Sequence, residues 1–184
     1  RTQEDAGDFA AADETLGKMI AAAETPDQKI ALMTRRAALQ CDKMEDAAEA
    51  AATLRATRDL APEDRGLIAE LVRVYEEQGN YSGALNTLEE ELDLVEGSHA
   101  RAEIYAKMGL VALERLEDAA KAIGYFEHAL ELDRNNLTAG DNVSTLYRER
   151  GEWEKALPIY EIWAASVDAL DDEKKIELYT QMGE

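Results

Sequence analysis

The chain has 184 residues, 40 of them acidic against 20 basic, for a formal net charge of −20 at pH 7. That balance argues against nucleic acid, because phosphate binding needs a basic stripe and none is visible. A hydrophobic share of 46%, a charged share of 33% and only three prolines describe a soluble helical protein, with no apolar run of the length that a membrane-inserted helix needs; the single cysteine, Cys41, excludes an internal disulfide or a multi-cysteine metal site and leans towards a reducing, cytoplasmic compartment.

The first element expected is a helix over residues 5–23, with Phe9, Ala12, Leu16 and Ile20 on one face. It reads as the second helix of a repeat whose first partner would precede Arg1, so the chain is read as a piece of a longer protein. Thr25-Pro26 then opens a helical hairpin over 26–61, since proline loses nothing where the helical N–H has no partner. Ala61-Pro62-Glu63 is expected to place proline and acid in the first turn of the next hairpin, 62–97. In that hairpin Ile68, Leu71, Val72 and Tyr75 fall at i, i+3, i+4 and i+7. Gly79-Asn80 breaks the pattern, and Tyr81, Ala84, Leu85, Leu88 and Leu92 make the second helix. Ser98 is expected as the N-cap of a third hairpin, 98–134. Asp133-Arg134-Asn135-Asn136 lacks the glycine and closing glutamate of a calcium loop and reads as a turn before the fourth hairpin, 136–169. A final unpaired helix, 171–184, with Asp171 or Asp172 as its cap, is expected to close the stack. About ten helices result, with no strand.

The hairpins repeat one another. Gly7, Phe9, Ala12 and Leu16 return as Gly79, Tyr81, Ala84 and Leu88, and again as Gly151, Trp153, Ala156 and Tyr160, at a constant offset of 72 (79 − 7 and 151 − 79). A second set, Glu45-Asp46-Ala47-Ala48, returns as Glu117-Asp118-Ala119-Ala120 at the same offset. Two alternating units of about 36 residues therefore fill the chain. The phrase Glu103 to Gly109 is nearly spelled again from Glu177 to Gly183. Its glycine lies inside a helix, where glycine costs roughly 0.5–1 kcal/mol, so close helix contact is expected there.

Tyr105, Met108, Gly109, Ala122, Phe126 and Ala129 resemble the tetratricopeptide repeat pattern, as do Ile68, Leu71, Tyr75, Gly79, Tyr81 and Ala84 before them. Val143, Tyr147, Gly151, Trp153, Ala156 and Tyr160 continue it, and Ala50, Leu54, Leu60 and Pro62 match the earliest complete repeat. Val72 and Ser144 stand where the small glycine belongs, and Arg134 where proline usually closes a repeat. The Ala112 to Ala122 spacing exceeds its equivalent, Tyr75 to Ala84, by one residue (10 against 9), so alternate turns are expected to differ. The resemblance implies an all-α, right-handed superhelical α-solenoid of stacked antiparallel helix pairs. It also implies a concave groove lined by the first helix of each repeat, which receives a peptide or partner protein.

Carried over residue by residue, the groove comprises Thr34, Arg35 and Ala38; Ala69 and Arg73; Ala106, Lys107 and Leu110; and Asp141, Asn142, Thr145 and Arg148, with Thr180 continuing it. It is expected to be less acidic than the convex surface, where Glu89, Glu90, Glu91 and Asp93 should lie, so that Arg73 or Lys107 steers an acidic ligand. Against this, Glu70 with Arg73, Glu103 with Lys107 and Arg148 with Glu152 have the spacing of ordinary intrahelical pairs. A carboxylate clamp is not expected, because only Asn142 has a suitable side chain near a suitable position. No enzyme, cofactor or metal is expected: His99, His128 and Cys41 lack converging companions. Trp153 is read as core, and Trp163 as the more open case. The leading function is a non-enzymatic interaction module. The alternatives are an oligomerising module, with a second copy meeting the open N-terminal helix, and the regulatory or recruiting part of a larger enzyme.

Overall fold

The computed structural model describes residues 8–165 and Thr180, with side chains as far as Ile162. The expected final helix over 171–184 and its candidate caps lie outside the described residues, Thr180 excepted. The described residues form nine α-helices: α1 (Phe9–Ala21), α2 (Pro26–Asp42), α3 (Ala47–Arg58), α4 (Arg65–Glu77), α5 (Tyr81–Leu94), α6 (Ser98–Leu110), α7 (Ala119–Leu132), α8 (Leu137–Glu149) and α9 (Trp153–Ala165). A π-helical turn, Val111–Arg115, extends α6. The chain is an all-α helical-repeat solenoid protein, and its contacts group into two units, Arg1–Leu94 and Val95–Glu184.

Side-chain caps explain most helix starts. Asp8, Thr25, Asp46, Asp64, Asp118 and Asn136 each accept a bond from a backbone N–H two or three residues on, satisfying donors that have no partner within the helix. Pro26 sits in the first turn of α2 as expected. Two expectations are corrected. Pro62 precedes α4, whose cap is Asp64, so the Pro-Glu pair lies in the connecting turn. Ser98 is the first residue of α6; Gly97, at φ 95°, holds the cap position without a side-chain bond.

The two kinds of hairpin turn expected from the spacing are present. Gly79 (φ 68°) and Gly151 (φ 71°) close α4 and α8, with Asn80 N–H donating to Tyr75 O and Glu152 N–H to Tyr147 O, both at 2.8 Å. After α2 and the π-helical turn the closure is one residue wider. Asp46 N–H donates to Gln40 O and Asp118 N–H to Ala112 O, both at 2.9 Å, with Glu45 (φ 55°) and Glu117 (φ 53°) taking the left-handed conformation. The wider closure accommodates the extra residue between Ala112 and Ala122, as it does between Gln40 and Ala50 in the first unit.

In the first unit Ala37, Ala50, Ala51, Leu54, Leu71, Val74 and Ala84 form the principal core, while Ala12, Leu16 and Leu39 hold α1 on α2. In the second unit Ala102, Ala112, Ala122, Phe126, Val143 and Tyr160 are at its centre. There the close contact expected at Gly109 is present: a Cβ on this residue would lie 2.3 Å from the Phe126 ring, so only glycine lets α7 lie this close to α6.

Candidate peptide-binding faces

The first helices of successive repeats lie side by side within each unit, as a ligand-binding face requires. In the first unit the ends of α2 and α4 are tied by Cys41 Sγ donating to Glu77 Oε2 at 3.0 Å and by Arg73 Nη2 at 3.5 Å from Asp42 Oδ1. Arg35, Ala38 and Ala69 are exposed on this face. Thr34 is half-buried, its hydroxyl donating to Ile30 O at 2.9 Å. Arg73 is fully engaged by carboxylates. It donates to both Glu70 oxygens, at 3.1 and 2.5 Å, and to Glu77. The Glu70 bonds lead in raising its already high pKa. Three carboxylates surround one guanidinium, so Arg73 offers no positive excess for steering a ligand.

In the second unit Asn136 Nδ2, at the start of α8, donates to Glu103 Oε1 on α6 at 2.9 Å. Glu103 is thereby taken from its expected partner, and Lys107 stands exposed with no ion pair among the described residues. Leu110 is half-buried against the core. Ala106, expected on the groove, is instead core: it is 2% exposed and belongs to the cluster that holds Ala102, Ala139 and Val143, where α6 meets α8. Asp141 is exposed and its carbonyl accepts from Ser144 Oγ at 3.1 Å. Asn142 turns back to its own helix, donating to Thr138 O at 2.8 Å. Thr145 and Arg148 are half-buried, and Glu152, expected opposite Arg148, binds Lys155 Nζ at 2.6 Å. Thr180 is helical and exposed.

Other singled-out residues divide similarly. Cys41 is buried, and burial followed by the Glu77 bond pushes its thiol up to about 11, far from a nucleophile's range. His99 is surface-exposed and paired to Asp133 at 2.6 Å, which raises its pKa. His128 lies against the Tyr105 ring at 5.4 Å, with Glu131 at 3.2 Å. Among the described residues no group of three or more His, Cys, Asp or Glu side chains could hold a metal ion. No described helix is long and apolar enough to cross a membrane.

Two further expectations are corrected. Trp153, read as core, is 42% exposed: it opens α9 before the helix turns its apolar face onto α8. Glu91, read as convex surface, is buried and bound to Arg65 Nε at 3.0 Å. Sequence reasoning missed a groove of about 610 Å3 between α7 and α9, floored by Val143 and Tyr147 of α8. Its signal was present in the repeats, because apolar Leu130 and Ile162 stand 72 residues after Arg58 and Glu90.

A family model described as tetratricopeptide repeat matches residues 67–98 and 141–175. The crystal structure of MamA superposes with a TM-score of 0.59 at 18% identity, covering 95% of this chain and 95% of that one. A tetratricopeptide repeat protein from Parabacteroides merdae superposes with a TM-score of 0.57 at 21% identity, covering 98% of this chain and 70% of that one. At these identities the likeness is one of fold. No curated protein matches the chain.

Proposed function

We infer, because this chain belongs to the tetratricopeptide repeat family, that it is a non-enzymatic protein-interaction module holding an extended peptide on the faces made by α2 with α4 and by α6 with α8. The family is generally one of scaffolds that bind protein partners. The observation that carries the finer reading is the juxtaposition of first helices in each unit, with Ala38 and Ala69 leaving room for a ligand backbone on the first unit's face and Lys107 exposed without an ion pair, among the described residues, on the second unit's face. A carboxylate on the ligand would find its complement at Lys107 rather than at Arg73. Charge at this position governs capture more than total area does.

The test is retention of proteins from the source lysate by the chain, by Lys107→Glu and by Ala69→Arg. Loss of the same partner in both variants, with helicity unchanged, supports the reading. A partner kept equally by all three overturns it. A recruiting role within a larger enzyme would use the same faces.

A second reading, self-association through the N-terminal hairpin, draws on an apolar pocket lined by Met19, Ala22, Ala23, Ala31 and Leu32, with Met19 47% exposed. Sedimentation equilibrium decides it: a mass near twice 20.4 kDa that Met19→Glu halves supports this reading, and a monomer at all concentrations removes it.

A further inference from the structure

The repeats provide an internal comparison at the seam between successive second helices. In the first unit Arg58 of α3 pairs with Glu90 of α5, and Arg65 of α4 with Glu91 of α5, so ion pairs close the seam. In the second unit the residues 72 positions later are Leu130 of α7, Ile162 of α9, Leu137 of α8 and Trp163 of α9 respectively. No charge pair can bridge Leu130 and Ile162, and the seam opens into the groove of about 610 Å3. Pro158 and Ile159 of α9 complete its apolar wall, while Val143 and Tyr147 lie beneath as a packed floor. Leu137 and Leu157 are each 50% exposed in the same unit. An open apolar surface in place of a closed ion-paired seam is the composition of a docking site.

Charge selects the occupant. Lys155, on the α9 side, is committed to Glu152 and lies over the Tyr147 ring at 5.1 Å. Glu127 accepts the Tyr147 hydroxyl, and Glu131 on the α7 lip, with His128 at 3.2 Å, and Glu161 on α9 are exposed carboxylates; against these three acids the lining adds one further base, Arg134, so the rim keeps an acidic excess. A second copy would bring its own charge of −20. The chain's own residues 166–184 carry six acids (Asp168, Asp171, Asp172, Glu173, Glu177, Glu184) against Lys174 and Lys175. Both are poorly matched to this rim. The geometry points to a helix of a partner protein, amphipathic and basic, laid between α7 and α9 with its apolar face on Leu130, Pro158, Ile159 and Ile162 and its lysines or arginines beside Glu131 and Glu161. This surface is separate from the faces of α6 and α8 and does not depend on them.

The probe is a fluorescein-labelled helical peptide of about 18 residues with leucine at i, i+3, i+4 and i+7 and lysine elsewhere, and a second in which glutamate replaces lysine. Anisotropy titrations compare the full chain with Leu130→Arg/Ile162→Glu, which transplants the first unit's ion pair into the second. The lysine peptide should bind the native chain and bind the transplant at least about tenfold more weakly, and the glutamate peptide should bind neither. Should the transplant lose helicity, Glu131→Lys/Glu161→Lys, on exposed positions, replaces it; it should weaken the lysine peptide and admit the glutamate one. Equal affinity of native and variant chains, or of both peptides, overturns the proposal. So does failure of the full chain to bind, and so does a dimer that the transplant dissociates, which would make a second copy the occupant.

Discussion

Gly109 shows how a single missing side chain positions two helices. Gly109→Ala would drive a Cβ into the Phe126 ring, which is fully buried and has nowhere to rotate. A loss of about 1–3 kcal/mol is expected in urea denaturation. Adding Phe126→Leu should recover part of it, because the two positions share one contact. The left-handed glutamates make the opposite case. Glu45 and Glu117 adopt a conformation that costs a non-glycine residue about 1–2 kcal/mol. Glycine there gives up some unfolded-state restriction in exchange. Glu117→Gly should therefore raise stability by about 0.5–1 kcal/mol, whereas Gly79→Ala should lower it by a similar amount; thermal melts of both variants check the signs. The glycine phrase was legible in the sequence as a packing requirement. The identity of its partner ring was inferable only from the repeat resemblance.

At the scale of elements, α1 is held by a polar network as well as by its small core. Arg36 of α2 donates through Nε and Nη2 to the two oxygens of Asp13 on α1, each at 2.8 Å, and Gln40 Nε2 adds a third bond at 3.0 Å. Gln40 Oε1 in turn accepts from Thr53 on α3 at 2.8 Å, so three helices are joined. The Arg36 bonds lead in holding the Asp13 carboxyl below its usual value of 3.8. A lowered folded-state pKa contributes stability that is present above the unfolded value and lost as pH falls through the folded one. Asp13→Asn should therefore cost about 1–2 kcal/mol near pH 7 and progressively less below about pH 4, with amide exchange of α1 rising first. Equal acid limbs for the two proteins would refute this. None of the network was read from the sequence, because its members lie 23 and 27 residues from Asp13 on separate helices.

For the whole molecule, the excess of acid is the dominant long-range term. Twenty net negative charges repel one another within a chain whose cores are alanine-rich. Raising salt from about 10 mM to 0.5 M shortens the Debye length from roughly 30 Å to a few Å. The melting temperature should rise by several degrees as a result; a flat or falling salt curve would show that local ion pairs such as Arg73 with Glu70 outweigh the general repulsion.

Helical periodicity, turn residues and the 72-residue offset determined by themselves that the chain is a stack of helix pairs and that its two kinds of turn differ. Those signals are local, since each is written within a few residues or by exact repetition. Exposure of the candidate faces was decided only by tertiary structure. Ala106 and Lys107 are neighbours in the chain, yet one is core and the other surface; Arg73 looked like a ligand-steering base and is surrounded by Asp42, Glu70 and Glu77. The groove between α7 and α9 depended in the same way on which side chains meet across helices. A repeat pattern specifies where helices lie, but the charge and openness of a surface arise from pairs of residues that only packing brings together.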